Sequence, residues 1–349
     1  MASTDVLVIG TGSLARAIAN AFAVCAEVPA ALTVAGRDAR IAAGVAVVAA
    51  GRAAAAGRPV TGHGASLDAG VADLLARTRP GLVVQCASLQ SPWESRGAPS
   101  AWTDLVTRAG FGITLPLQAR LAISTGEAVA AMTDPPTYVN ACFPDAVNPV
   151  LAGLGLPVRF GIGNVATLSA GLRAALGTRD GRLRVVAHHV HLHPAEHPED
   201  DLRAWLDDEP VTDAVALLAA HRAADRVQLN EVTGYAAARL FADLLAGRDV
   251  ATNLPGPLGL PGGYPVRIAN GTLTLDLPAG LSTADAVAHN RRAGERDGVR
   301  VEADRVRFTA DAAAELARYA PDLAEGFSIV DTSCVADRLV ELRDRLRTI

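Results

Sequence analysis

Val6-Leu7-Val8-Ile9-Gly10-Thr11-Gly12-Ser13-Leu14-Ala15 decides the fold, because an apolar run passes directly through a glycine-rich turn into alanine-rich sequence. The apolar residues predict a buried β-strand, and the G-x-G-x-x-A turn predicts a helix that begins beside it. Gly10 would allow the tight bend, Gly12 would leave room for a ligand against the backbone, and Ala15 would let helix and strand pack closely. Such a helix begins with unpaired N–H groups, which favour an anion.

The first half of the chain alternates short β-rich runs with alanine-rich stretches, the pattern of βαβ units that build a parallel sheet. We expect strands over residues 5–10, 31–36, 59–62, 81–87, 137–142 and 158–161. The helices between them have Asp38, Ser66 and Asp145 as candidate N-caps. The predicted fold class is therefore α/β, a doubly wound parallel sheet of Rossmann type with a second α+β domain.

The alternation of short β-rich and alanine-rich stretches ends near residue 180, where we place a domain boundary. Residues 1–178 are predicted to form the dinucleotide-binding domain, and residues 179–349 an α+β substrate domain with C-terminal helices. The second domain opens on a long β-like run over 181–193. We then expect helices over 212–226, 232–246, 283–296, 310–319 and 334–347, a loop over 253–265, and hairpins over 266–277, turning at Asn270-Gly271, and 299–308.

Composition excludes several classes of chemistry and partner. All 32 basic residues are arginine, so a lysine Schiff base and a P-loop lysine are both impossible. The net charge of -5 gives no reason to expect nucleic acid or an anionic membrane, and no apolar run reaches the ~18 residues of a membrane span. Four cysteines without CxxC spacing indicate reduced thiols and a cytoplasmic location. A homodimer is the ordinary expectation for the oligomeric state.

The strand–turn–helix unit indicates a dinucleotide with its pyrophosphate at the helix start, although a purely structural glycine turn is the alternative. At the end of the second strand, Arg37 stands where a 2′-phosphate would lie, and Asp38 follows one residue late. This order favours NADP, with NAD still possible. The residues expected to contact the cofactor are Gly10, Thr11, Gly12, Ser13, Leu14, Ala15, Arg37, Asp38, Ala87 and Ser88.

The opening fingerprint, the Ala35-Gly36-Arg37-Asp38 strand end and the Cys86-Ala87-Ser88 loop resemble the saccharopine dehydrogenase and opine dehydrogenase-like NAD(P)-dependent oxidoreductases. The resemblance covers residues 1–165 at the level of motifs, and the second domain matches only in general layout. It implies nicotinamide-dependent hydride transfer more firmly than it implies a substrate.

Five of the eight histidines lie within ten residues, at positions 188, 189, 191, 193 and 197. On a strand of period 2, His189, His191 and His193 would share one face. The favoured interpretation is a proton donor beside the nicotinamide, since hydride transfer to a carbonyl or imine leaves charge that a histidine can protonate. A metal site completed by Glu196 and a plain exposed face are the alternatives, and we expect no metal.

Other polar residues are predicted to lie in a ligand-binding cleft beyond the carboxyl ends of the parallel strands. The residues expected to act on the substrate are His189, His191, His193, Asp145 and Tyr264. Further candidates at strand ends are Ser88, Gln90, Asn148 and Asn164, and candidates for binding a substrate carboxylate are Arg96, Arg267 and Arg291.

The sequence thus predicts an NADP-dependent oxidoreductase acting on a small polar carbonyl or imine derived from an amino acid. A methyltransferase using S-adenosylmethionine and a non-catalytic nucleotide sensor are the rival hypotheses.

Overall fold

A six-stranded parallel sheet lies at the centre of the computed structural model, which describes residues 3–178 and 182–348. Its strands are β1 (Val6–Ile9), β2 (Ala30–Gly36), β3 (Val60–Ser66), β4 (Leu82–Gln85), β5 (Thr137–Asn140) and β6 (Val158–Gly161). They lie in the order β3-β2-β1-β4-β5-β6, so the chain starts near the middle and winds outward in both directions. This topology confirms the predicted doubly wound α/β sheet.

Helices cover both faces of this sheet, which is why β1 reads as an uninterrupted apolar run. Leu7 and Ile9 face one layer of the core, and Val6 and Val8 face the other. The helices of the first half are α1 (Ser13–Cys25), α2 (Ala39–Ala55), α3 (Val71–Thr78), α4 (Glu94–Gly97), α5 (Ala101–Ala109), α6 (Leu115–Ala130), α7 (Pro144–Gly153) and α8 (Asn164–Ala175).

The second half carries small antiparallel sheets and further helices. The strands are β7 (Leu183–Val186), β8 (Arg203–Leu206) and β9 (Glu209–Pro210) in one sheet, β10 (Val250–Pro255), β11 (Gly263–Ala269) and β12 (Thr272–Leu275) in another, and β13 (Val299–Val301), β14 (Arg305–Phe308) and β15 (Phe327–Ser328) in a third. The helices are α9 (Ala214–Leu217), α10 (Ala219–Ala223), α11 (Arg226–Leu245), α12 (Thr283–Glu295), α13 (Ala310–Ala317) and α14 (Thr332–Leu346). This α+β character agrees with the prediction for the second half.

Two helices of the second half complete the helical layers over the first. Helix α11 lies along α1 so closely that a Cβ added at Gly234 would stand 2.5 Å from the Cβ of Ala17. Helix α14 packs against α6 in the same way on the other face of the sheet. The N-terminal turn of α11 is therefore held beside the start of α1, where the predicted nucleotide turn lies.

Several local predictions are confirmed. Asp38 caps α2, because its carboxylate accepts hydrogen bonds from the backbone N–H groups of Arg40 and Ile41. Such a cap stabilises a helix by about 1 kcal/mol. The hairpin between β11 and β12 turns at Asn270 and Gly271, which have φ of 49° and 74° as a type I′ turn requires.

Other local predictions are wrong. Ser66 ends β3 and accepts a hydrogen bond from the Asp68 N–H instead of capping a helix, and Asp145 lies inside α7, which Phe143 caps. The long strand expected over 181–193 is reduced to β7, the helix over 212–226 is broken into the short α9 and α10, and part of the 253–265 loop belongs to β10 and β11.

The predicted boundary between residues 178 and 179 adjoins residues 179–181, which lie outside the described part of the chain, so the two-domain division stays a prediction. Among the described residues, the search for a helix long and apolar enough to span a membrane finds none.

Candidate active site

The turn between β1 and α1 has the geometry that its glycines predict. Gly10 has a φ of 131°, and a Cβ there would stand 3.1 Å from the backbone of Cys86 and Ala87. Gly12 is the N-cap residue of α1, and no described atom lies within 4 Å of the position that its Cβ would take. The space beside Gly12 therefore lies open in front of the helix N-terminus, where backbone N–H groups favour an anion.

Side chains of α1 and α11 form hydrogen bonds at this turn. Asn230 of α11 donates a hydrogen bond to the Ser13 hydroxyl at 2.8 Å, and Arg16 donates to the carbonyl of Thr11. Arg16 is thus tied to the backbone of the turn. At the end of β2, Arg37 and Asp38 are both exposed, and the carboxylate of Asp38 is used to cap α2. Arg37 is the residue at this strand end that can meet a ligand phosphate.

The loop after β4 faces the same edge of the sheet, as predicted. The carbonyl of Ala87 accepts hydrogen bonds from the Gln85 amide and the Cys142 thiol, and the Ser88 hydroxyl donates to the Gln90 carbonyl. Burial raises the pKa of the Cys142 thiol, so this residue is a neutral hydrogen-bond donor.

Two of the predicted cleft residues are structural instead. Gln90 is buried and joins Trp102 to Glu94 through its amide, while Asn148 is buried between Asn140 and the Gly256 carbonyl. Asn164 is half-buried at the first position of α8.

The histidine-rich segment does not form the predicted strand. After β7 and a single bridge at Ala187, residues His189–Leu192 form a 3₁₀ turn. His188 accepts a hydrogen bond from the Val190 N–H, and His191 accepts one from the His188 N–H at 2.9 Å. These bonds between side chain and backbone cap the turn and draw the chain out of the extended conformation.

The expected common face of three histidines is therefore wrong. His191 is completely buried, stacks on His289 at 5.7 Å between ring centroids and contacts the Asp200 carbonyl. Burial holds the pKa of His191 well below its ordinary value, so the residue is a neutral core histidine. His193 is exposed beyond the turn, and His189 is half-buried beside Asp145 and Asp297. The alternative metal site, in which two histidines of an HxH strand and Glu196 would meet one ion, loses its basis for the same reason.

His189 instead joins two carboxylates that come from distant parts of the chain. Its Nε2 lies 2.8 Å from Oδ2 of Asp297, and its Nδ1 lies 3.8 Å from Oδ2 of Asp145. Its backbone N–H also donates to Oδ1 of Asp145 at 3.2 Å. The ligating atoms of Asp145, His188 and His189 lie within 4.8 Å of one another. The structure thus brings together Asp145 and His189, two of the residues expected to act on the substrate, and places Asp297 beside them.

The electrostatics of this cluster favour a protonated His189. Burial alone would lower its pKa, but the carboxylates of Asp297 and Asp145 outweigh burial and raise the pKa to about 10. His188 is the opposite case, because its burial exceeds the attraction of Asp145 and lowers its pKa. The two adjacent histidines therefore have opposite pKa shifts, and the carboxylates favour the positively charged, doubly protonated ring at His189.

Aromatic rings and glycines fix the positions of these groups. Phe143 and Phe111 pack edge-on against the His189 ring, at 5.0 and 6.1 Å between centroids. The carbonyl of Asp297 accepts a hydrogen bond from the Gly112 N–H, and a Cβ at Gly110 would stand 2.3 Å from that carbonyl. The backbone of Gly110 and Gly112 thus packs directly against the backbone of Asp297 and fixes the turn that carries it.

The remaining sequence candidates are engaged elsewhere. Tyr264 is wrong as a substrate donor, because it is completely buried and its hydroxyl donates to the Pro261 carbonyl at 2.6 Å. Arg96 forms an ion pair with Asp225, and Arg267 one with Asp249. Arg291 is exposed on α12 and lines a small cavity together with Asp145 and His188.

Comparisons with known proteins find the fold in dehydrogenases. The apo malate dehydrogenase of Picrophilus torridus matches with a TM-score of 0.56 and 13% identity, over 90% of this chain and 98% of that one. The malate dehydrogenase of Archaeoglobus fulgidus in complex with NADH gives 0.55 and 15%, over 84% and 97%. The minor L-lactate dehydrogenase of Enterococcus mundtii gives 0.53 and 16%, over 86% and 100%.

No protein-family model and no curated protein matches the sequence. The structural neighbours named above are malate and lactate dehydrogenases and not saccharopine or opine dehydrogenases, so the narrower family resemblance drawn from motifs is not supported. At these identities the comparisons establish that the chain shares the α/β fold of these structures over 84–90% of its length.

Proposed function

We propose that this protein is an NADP-dependent oxidoreductase that transfers a hydride between the nicotinamide and a small polar carbonyl or imine. The observation that carries the proposal is the turn at Gly10 and Gly12, which leaves open space against the N-terminus of α1. A dinucleotide diphosphate fits this space, since a Cβ would fill it and backbone N–H groups face it. The fold of the neighbours, one of them in complex with NADH, supports a nicotinamide coenzyme.

Arg37 is the basis for preferring NADP. Its exposed guanidinium follows β2 directly, at the position where a ribose 2′-phosphate would approach, whereas Asp38 is committed to capping α2. Guanidinium groups bind phosphate bidentately, which makes this contact stronger than an ordinary surface ion pair. NAD would lose this contact and bind more weakly.

His189 is the proton carrier in this proposal. The bound cofactor would supply the hydride, and the substrate oxygen or nitrogen would then take a proton. His189 is positioned for that task because Asp145 holds its backbone, Asp297 holds its ring, and both carboxylates favour its protonated form. Phe143 and Phe111 shield the ring and limit its contact with water.

The substrate class is argued from chemistry. The names of the neighbours refer to malate and lactate, which are small hydroxy acids, and this agrees with a small polar carbonyl substrate. The absence of lysine leaves arginine, histidine and backbone N–H groups to meet a substrate carboxylate. We also propose that the substrate derives from an amino acid, which is compatible with a small polar carbonyl or imine.

Fluorescence titration with NADPH and NADH tests the proposed cofactor. The informative variant is Gly12→Ala, whose methyl group meets no described atom yet would occupy the space for the diphosphate. We expect saturable binding to the wild-type protein and at least a tenfold loss in Gly12→Ala, a change of about 1.4 kcal/mol. Gly44→Ala, at an equally open position on α2, is the matched control. Equal affinity of all three proteins for NADPH would contradict the proposal.

A further inference from the structure

A small cavity lies directly behind the carboxylate of Asp145. Its volume is about 20 Å³, and Asp145, His188, Asn290 and Gly294 line its inner part. Arg291 and Arg300 also line it and are exposed, so the cavity reaches the protein surface between α12 and β13. A cavity needs about 10–15 Å³ of such volume to hold one water molecule. The space therefore fits a single water molecule and nothing much larger.

Two of the residues that line the cavity each have a buried oxygen atom without a hydrogen-bond donor among the described residues. Oδ2 of Asp145 and Oδ1 of Asn290 make no hydrogen bond, although Asp145 is 1% exposed and Asn290 is 0% exposed. The amide nitrogen of Asn290 donates to the Gly263 carbonyl, which fixes the amide so that its oxygen is the acceptor. Leaving such groups unsatisfied costs about 1–3 kcal/mol each. A ligand with two O–H donors would satisfy both.

Charge favours water over a cation in this cavity. Asp145 already faces the protonated ring of His189, with Nδ1 3.8 Å from its Oδ2. Arg291 and Arg300 also line the cavity, and the guanidinium of Arg300 is paired with Glu295. A neutral molecule that donates hydrogen bonds meets the acceptors without being repelled by the protonated ring of His189 and the guanidinium of Arg291.

We propose that this cavity holds one ordered water molecule that relays protons between solvent and His189. The proposal rests on the proposed function, in which His189 gives its proton to the product oxygen or nitrogen as the hydride arrives. The proton given up is the one on Nδ1, because Nε2 stays on Asp297. The water then passes a proton to Oδ2 of Asp145, Asp145 passes that proton on to Nδ1 of His189, and solvent at the Arg291–Arg300 opening replaces the proton taken from the water. Each cycle therefore consumes one solvent proton and leaves every relay group as it began.

This route explains why proton supply need not use the substrate cleft. The cavity is lined by residues of α12 and β13 together with Asp145 and His188. In the proposed function, the cofactor and substrate lie on the opposite side of Asp145. A bound cofactor and substrate would cover the cleft face of His189. The rear path stays connected to solvent in that state, so His189 can be reprotonated before the product leaves.

Filling the cavity by mutation tests the relay. A Cβ at Gly294 would lie 3.6 Å from Nε2 of His188 and 3.5 Å from the Val299 carbonyl, which are ordinary contact distances, so Gly294→Ala inserts a methyl group without a clash. The measurement is the exchange rate with solvent of the His189 ring N–H proton, read by NMR in the free protein. Gly51→Ala, on the open face of α2, is the matched control.

We expect Gly294→Ala to slow this exchange at least tenfold and Gly51→Ala to leave it unchanged. An unchanged rate in Gly294→Ala would overturn the relay, and so would a crystal structure of the wild-type protein with a metal ion in the cavity. Val301→Leu, which enlarges another lining residue, gives the same test if Gly294→Ala unfolds. NADPH titration of the same variants separates the two proposals: failure of the relay leaves coenzyme affinity intact, while failure of the proposed function leaves the exchange measurement valid.

Discussion

The nucleotide turn at residues 10–15 and the histidine segment at residues 188–193 are both short and conspicuous in the sequence, but only the first folds as its pattern predicts. The turn is determined by backbone sterics, since a φ of 131° and the close approach of Cys86 and Ala87 require glycine at position 10. The histidine segment is determined by partners far away in the chain, above all Asp145 and Asp297. Local backbone requirements can be read from adjacent residues, whereas contacts between distant side chains cannot.

The largest expected effect lies in the histidine segment. His189→Gln removes the proton donor but keeps a side chain of similar size, so we expect the turnover number to fall about 10²–10⁴-fold while NADPH affinity is unchanged. The measurement is the oxidation rate of NADPH with whichever small 2-oxo acid or imine the wild-type protein reduces fastest. His197→Gln, at an exposed position nearby, is the control. Equal turnover in both variants would show that His189 is not the proton carrier.

Two glycines of the nucleotide turn sharpen the comparison, because they have different tasks. Gly10→Ala forces a side chain into a left-handed conformation against Cys86 and Ala87, so we expect a loss of about 1–3 kcal/mol in the free energy of unfolding. Gly12→Ala should keep stability within about 0.5 kcal/mol and lose only coenzyme affinity. Urea denaturation of both variants measures the difference, and equal stability losses would contradict it.

Arg37 provides the next prediction, since its proposed contact with a 2′-phosphate would distinguish the two coenzymes. Arg37→Ala should weaken NADPH binding about 10–100-fold, because a charge-assisted hydrogen-bonded contact contributes about 1.5–3 kcal/mol, and should leave NADH binding unchanged. Arg40→Ala, one turn further along and exposed, is the control for general charge. A parallel loss of affinity for both coenzymes would remove the case for NADP.

The smallest expected effect is a shift in pH dependence. The pKa of His189 is raised to about 10, so the proton needed for reduction is present below that pH and the rate falls as pH rises through it. Asp297→Asn removes the carboxylate nearest Nε2 and should move this fall to lower pH by about one unit, or about 1.4 kcal/mol. Rates from neutral to strongly alkaline pH measure the shift, with the exposed Asp304→Asn as control. An identical profile in Asp297→Asn would exclude its contact with the ring.

These differences also mark how much can be predicted from the sequence. The central sheet, the turn at Gly10 and the cap at Asp38 follow from periodicity and local hydrogen bonding, and all are observed. The strand expected for the histidines fails because His188 and His191 bond to the nearby backbone and cap a 3₁₀ turn. Period-2 spacing carries no information about such bonds.

Asp297 shows the other limit of sequence reasoning. It lies between a helix and a hairpin that are both predicted, in an Asp-Gly pair that is typical of an ordinary turn. Its place beside His189 depends on the close backbone approach of Gly110 and Gly112, which are distant in the chain. The one local signal is the cluster of glycines on both sides of this contact, and it does not identify which residues meet.

A structure of the complex with NADPH tests the central claim most directly. The account predicts the diphosphate against the N-terminus of α1 beside Gly12, the 2′-phosphate at Arg37, and the nicotinamide C4 within about 6–7 Å of a His189 ring nitrogen. That distance is the sum of a hydride-transfer approach of roughly 3–3.5 Å and a hydrogen bond of about 3 Å. A diphosphate bound elsewhere, or a nicotinamide too far from His189 for a substrate to contact both, would contradict it.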